Sequence, residues 1–234
     1  MNKKILLLFA LLILILAGSY HNFVYDFPES EPIQEFEGES TRSSAGGVYI
    51  MDISYGQTAS DISCNAFSRE TYIISASNLT PYGGFMYKNV SNNPWTSIQG
   101  VAEHISVGHN TLPWCVNKQG LIYECVQGTG WVERPGSHNM RARDIGVGKT
   151  GEVFIISTIP HASGQGYKIY KWYEDYNNWY EVSGPGFMKI DVDFYGKPWC
   201  IDAEGKVFTW MPHSWDWVCV TGSNDPRAID IGSL

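Results

Sequence analysis

The side chains best able to do chemistry in this chain are its carboxylates, its six histidines, its five cysteines and one glycine-rich hexapeptide. Gly146-Val147-Gly148-Lys149-Thr150-Gly151 matches the GxGxxG pattern and contains a Lys-Thr pair. Phosphate binding by such glycines needs a helix N-terminus directly behind them, whose free N–H groups and dipole hold the anion. Here Glu152-Val153-Phe154-Ile155-Ile156 follows, which is strand sequence. The hexapeptide also aligns with Ser106-Val107-Gly108, so we read it as a repeat turn. The histidines share no position, and no His-Glu-x-x-His, Gly-x-Ser-x-Gly or Cys-x-x-Cys occurs. Aspartates at 61, 144, 191 and 230 recur with an internal repeat. A catalytic pair needs two carboxylates in unequal surroundings, whereas repeated ones serve structure. The expectation is a chain that is not an enzyme, with no cofactor and no metal centre; a calcium requirement is left open.

The cysteines point the same way. Cys64, Cys115, Cys125, Cys200 and Cys219 are odd in number, which leaves at least one unpaired. Cys115 and Cys125 flank a hairpin, but their register sets them diagonally, with Cα atoms roughly 8 Å apart, beyond the roughly 7 Å a disulfide spans. The five are expected to be small buried residues between packed sheets.

What the chain does have is aromatic surface: nine Trp and fourteen Tyr. Trp172, Tyr173 and Tyr176 precede Trp179, and Trp210 and Trp215 precede Trp217. Flat rings stack on the C–H faces of sugars, while nearby polar groups bond the hydroxyls. Lys171, Asn177, Asn178, His213 and Asp216 lie close in sequence. The candidate ligand-binding residues are therefore Trp172, Tyr176, Asn178, Trp210 and Trp215, joined by Trp114 and Trp199. Trp95, Trp131, Trp179 and Trp217 occupy one repeat position and are expected to pack, since each ring buries roughly 150–250 Å².

The elements that position these residues come from a repeat. Ala59–Gly100 and Ala142–Gly184 share an Ala-x-Asp-Ile opening, an Ile-Ile-Ser strand, a Tyr-Lys strand and a closing Trp. Two shorter stretches match each other, with Trp114-Cys115 and Trp199-Cys200 in equivalent places. All four are versions of one unit, opening at Ile62, Ile105, Ile145 and Ile190. A fifth opening, Ala228-Ile229-Asp230-Ile231-Gly232, stands near the C-terminus. Each unit holds short runs of Ile, Val, Tyr and Trp broken at turns. Asn117-Lys118-Gln119-Gly120 and Asp202-Ala203-Glu204-Gly205 are tight-hairpin sequences. A four-stranded meander of roughly 40–45 residues is one propeller blade. The expected fold is all-β: a β-propeller of four-stranded antiparallel blades, with four full repeats plus a fifth opening strand. It is either four-bladed or an incomplete six-bladed ring.

The pattern Ala-x-Asp-Ile-x-Val-Gly, then Gly-x-Pro-Trp-x-Val-Asn-x-x-Gly-x-Ile-Tyr, with a closing Trp and Gly, resembles the tectonin β-propeller repeat of tectonins, tachylectin-like lectins and fish-egg lectins. The resemblance covers residues 59–232. It implies a propeller, usually six-bladed, that binds carbohydrate. This chain departs from it in having four full units. The implied function is a lectin that recognises surface glycans through inter-blade loops. A non-enzymatic propeller for protein interaction is the second reading. An open arc of blades would also expose sheet edges through which the chain could bind itself.

The N-terminus sets the expected location. Lys3 and Lys4, an apolar run from Ile5 to Ala17, and Gly18-Ser19 read as a secretory signal over residues 1–19. Residues 20–45, with six acidic residues before any basic one, read as an acidic disordered linker. Residues 46–234 form the propeller domain, with an extra strand expected at 47–54. Losing the signal makes the net charge of −8 more negative by two. That disfavours nucleic acid and membrane surfaces as partners. The mature protein is expected to be secreted, with glycosylation sequons at Asn78 and Asn89.

Overall fold

The computed structural model describes residues 58–230, apart from 66, 91–93, 110, 212–215, 223–227 and 229. The signal, the linker, the extra strand at 47–54 and Trp215 lie outside the described residues. The rest is almost wholly β. Four antiparallel four-stranded sheets stand around a common axis as a four-bladed β-propeller.

Blade 1 is β1 (Ala59–Asn65), β2 (Glu70–Thr80), β3 (Gly83–Val90) and β4 (Thr96–Ala102). Blade 2 is β5 (His104–Ser106), β6 (Trp114–Val116), β7 (Ile122–Val126) and β8 (Gly130–Glu133). Blade 3 is β9 (Ala142–Val147), β10 (Val153–Pro160), β11 (Tyr167–Tyr173) and β12 (Asn178–Phe187). Blade 4 is β13 (Lys189–Val192), β14 (Pro198–Ile201), β15 (Val207–Met211) and β16 (Asp216–Cys219). Each sheet keeps chain order, so every connection is a hairpin. Long blades alternate with short ones, as the two sequence classes require.

The hairpins form where expected, and side chains set them. Asn117 Oδ1 accepts the N–H groups of Gln119 and Leu121, and Asp202 Oδ1 accepts those of Glu204 and Lys206. Gly120 and Gly205 close these turns at φ +78° and +77°, values that suit a residue without Cβ. The glycine-rich hexapeptide is the β9–β10 connection, not a phosphate loop: Gly148 N–H donates to the Glu152 carbonyl and β10 follows at once.

Packing explains why the strands carry continuous apolar runs. In β10, Val153 and Ile155 pack with Trp114, Val116 and Ile122 of blade 2. Phe154 and Ile156 pack with Ile190, Val192 and Cys200 of blade 4. A strand covered on both faces loses the polar alternation of a half-exposed one. Blade 1 meets blade 2 in the same way, through Tyr72, Ile74 and Met86 against Ile105 and Val107.

Side chains also tie neighbouring blades to backbone groups. Asp61 Oδ2 accepts the N–H of Ile105, and Asp144 Oδ2 that of Ile190, at 2.8 and 2.9 Å. Ser63 and Ser106 accept the N–H groups of Val107 and Val147 through their hydroxyls. Asp61, His104, Asp144 and Lys189 hold one repeat position, each directly before its Ile. Acid therefore alternates with cation from blade to blade.

The cysteines correct one expectation. All five are free; Cys115 and Cys200 are buried, and burial raises both thiol pKa values. Cys115 pairs with Tyr123, so Cys125 is diagonal to it. Cys64 and Cys219, however, are exposed. Cys64 belongs to β1, whose outward face no blade covers among the described residues, and Cys219 to the outer strand of blade 4.

Candidate functional site

The repeated Trp fastens its blade to the preceding part of the chain. Trp179 Nε1 donates to the Arg134 carbonyl at 2.8 Å, and Trp217 Nε1 to that of Ser183 at 2.9 Å. Each indole lies on a glycine of the preceding blade or of the segment that follows that blade. A Cβ on Gly184 would stand 2.3 Å from Trp217 Nε1, and one on Gly136 would stand 3.0 Å from Trp179 Cδ1. Trp131 lies over Gly100 likewise, at 3.6 Å.

Outside these contacts the blades diverge. Between blade 3 and the segment that joins it to blade 2 lies a cleft of about 450 Å³. One wall is the segment joining the blades, with His138, Asn139 and Arg141; the other is β12, with Asn178, Tyr180 and Glu181. Asn178 holds the walls together. Its Oδ1 accepts both the N–H and the hydroxyl of Ser137, at 2.9 and 3.0 Å. Asn139 turns the segment in the left-handed region at φ +49°, which asparagine tolerates better than most residues. Arg134 is fixed on Glu124 at 2.6 Å. Glu181 faces the cleft while paired with Lys168 at 2.8 Å. A second cleft, of about 460 Å³, lies between blades 1 and 2, edged by Tyr82, Gln99, Asn117 and Trp131.

Beside the first cleft stands a platform of three tyrosines. Tyr173 ends β11, Tyr176 lies in the short 3-10 turn Glu174–Tyr176, and Tyr180 is on β12. Their ring centroids are 5.4 to 6.5 Å apart. All three are exposed, Tyr176 by 68%. The turn is shaped by Trp172 Nε1 donating to Glu174 and by Asn177 at φ +45°. Tyr180 belongs to both cleft and platform, so the two form one surface.

The structure redistributes the sequence candidates. It brings Tyr176 and Asn178 to this surface. Trp172 and Trp114, expected at a ligand, are core residues, 6% and 4% exposed. They pack edge to face with each other and against Trp179, in a trio with centroids 5.0 to 6.1 Å apart. The reason is pairing: Trp172 sits directly across from Trp179, on the face turned to blade 2. Trp210 sits across from Trp217 in the same way and packs against the blade 3–blade 4 core. Trp199 is half-buried, its Nε1 donating to Asp193 and its ring under Lys197. The platform residue missed in sequence is Tyr180. Strand alternation would have found it, because a neighbour of a packed Trp must face the other way.

The sequons also change. Asn78 is exposed on β2, its amide donating to the Tyr87 hydroxyl. Asn89 lies within β3 and is buried, not on a surface loop, because its strand position turns it inward. Among the described residues no His, Cys, Asp or Glu cluster could hold a metal ion.

No family model and no curated protein sequence matches the chain. Solved structures do. One is YCF48 bound to D1 peptide, at 17% identity and TM-score 0.45, covering 69% of this chain and 52% of that one. YCF48 from Cyanidioschyzon merolae gives 13% identity and TM-score 0.47, with 75% and 60% covered. The extracellular domain of a one-component system from B. thetaiotaomicron gives 8% and 0.48, with 81% and 25% covered. The chain thus spans from a quarter to three-fifths of these proteins. At such scores the fold rests on this chain's own strand pairing.

Proposed function

We propose that this chain is a secreted, non-enzymatic lectin of the tectonin type, which takes a glycan in the cleft between blade 3 and the segment that joins it to blade 2. The observation that carries the reading is the union of a cleft rimmed by polar side chains with an exposed tyrosine platform through Tyr180. The rings offer flat apolar faces to sugar C–H groups. Asn139, Asn178, Arg141 and Glu181 offer donors and acceptors at the rim for hydroxyls. The second cleft gives a further weak site, and two weak sites on one rigid body raise avidity on a dense surface.

A saccharide array with the folded protein tests this, using Tyr176→Ala/Tyr180→Ala as the control. The wild type should bind a subset of glycans, and the double variant should lose that binding. Absence of all binding, or binding indifferent to the two tyrosines, would sink the lectin reading.

A protein-interaction propeller is favoured by one separate observation. At one end of the axis Phe67, Leu112, Phe194 and Tyr195 are all exposed, Tyr195 by 87%. Such apolar rims mark protein contacts. Capture of one stoichiometric partner, insensitive to free sugar and lost in Tyr195→Asp, would support it.

A further inference from the structure

The opening strands of blades 2, 3 and 4 bury the same two side chains against the blade before them. Ile105, Ile145 and Ile190 are 4%, 4% and 3% exposed, and Val107, Val147 and Val192 are buried with them. In blade 1 these positions are Ile62 and Cys64. Ile62 is 57% exposed, and Cys64 is exposed as well. Blade 1 therefore presents to solvent a face built like three covered ones.

Its complement lies at the far end of the chain. Blade 2 hands on to blade 3 through Ala142 N–H donating to Gly120 O at 2.9 Å, with His104 at 3.6 Å from Asp144. Blade 4 repeats both contacts. Ala228 N–H donates to Gly205 O at 3.0 Å, and Lys189 stands 3.9 Å from Asp230. The residues involved share one pattern: Ala59-Ser60-Asp61-Ile62, Ala142-Arg143-Asp144-Ile145 and Ala228-Ile229-Asp230-Ile231. Behind a short blade, then, comes the opening strand of a long one, and its Asp meets the short blade's cation.

We propose that blade 1 of one copy docks behind blade 4 of a second copy, with its Ala59–Ile62 strand displacing Ala228 from Gly205 and Asp230 from Lys189. Asp61 then takes Lys189 from Asp230, and Ile62 is covered as Ile145 is. One carboxylate can serve neighbours on both sides, since Asp144 already meets His104 through Oδ1 and Ile190 through Oδ2. The displaced stretch is held weakly: the Asp230 side chain is 78% exposed, and exposed ion pairs contribute little. The contact is head-to-tail, so it closes into a ring or runs on as a filament according to its rotation. The terminal stretch competes for the same place and restrains assembly. This inference stands independently of any glycan.

Sedimentation velocity on the full chain across a wide concentration range tests it. Asp230→Lys expels the terminal stretch from Lys189 and should raise the association constant about threefold. Ile62→Arg, at an exposed position that folding does not use, should abolish association alone and in the Asp230→Lys background. Alkylation read by mass spectrometry gives an internal control: in the associated form Cys64 becomes protected while Cys219 stays reactive. A monomeric Asp230→Lys protein at every concentration, association indifferent to Ile62→Arg, or equal protection of the two thiols would overturn the proposal.

Discussion

His104 Nδ1 stands 3.6 Å from Asp144 Oδ1, where blades 2 and 3 meet near the axis. Asp61 Oδ2 approaches the same nitrogen from blade 1, also at 3.6 Å. Burial opposes protonation of this imidazole. The two carboxylates beside it, Asp61 and Asp144, outweigh it, so its pKa is raised. Burial pushes Asp144 up to about 6, against the opposite pull of His104, Lys189 and two backbone N–H groups.

These two shifts set a pH dependence. Both are upward, so the folded cluster holds protons more tightly than the unfolded chain does. The stability this contributes is complete below the unfolded carboxylate value of about 4. It declines as pH rises through the titration of Asp144 and then through the raised value of His104. The denaturation midpoint should therefore decrease as pH rises from about 4 to about 6, and further as pH passes through the raised His104 titration. Asp144→Asn should flatten that fall. An unchanged midpoint in the wild type over this range would refute the assignment.

Trp114→Ala should cost about 3–5 kcal/mol, the usual loss on emptying a buried indole site. It removes one member of the trio with Trp172 and Trp179. Urea denaturation reads the loss directly. Tyr176→Ala, by contrast, should stay within about 0.5 kcal/mol of wild type, because its ring faces solvent.

Two glycines separate close approach from backbone freedom. Gly184→Ala drives a methyl into the Trp217 ring, and it should cost about 1–3 kcal/mol while weakening the Trp217–Ser183 bond. Gly128 has φ +78°, and no atom lies within 4 Å of the place a methyl would take, so Gly128→Ala should cost only the backbone term, about 1 kcal/mol. Equal losses at the two positions would contradict the Trp-on-glycine packing.

Asn178→Ala should release the segment that forms one wall of the cleft. Losing both Ser137 bonds should lower stability by about 1–2 kcal/mol. Thermal denaturation measures that loss. Proteolysis should become faster within 135–141 and unchanged elsewhere.

The blades were legible in sequence because each unit repeats the same opening and the same closing Trp. Trp179 and Trp217 pack as their recurrence implies. Turns were legible at Asn117 and Asp202, whose side chains act locally. The candidate site was only half legible. Tyr176 and Asn178 stand at the surface, but Trp114 and Trp172 face inward. Which face a strand residue takes depends on register across the sheet, and the pairing of Trp172 with Trp179 is a relation between strands. Likewise, His104 shares no position with another histidine; its partners Asp61 and Asp144 come into view only when the repeat is aligned across residue types.

The alternation of acid and cation around the axis has a consequence for parity. Asp61, His104, Asp144 and Lys189 make the two-blade pair, not the blade, the smallest unit that can be duplicated without setting carboxylate beside carboxylate. An array of this design grows by even steps: a single blade inserted between two others would set like beside like at one seam unless its residue changed sign.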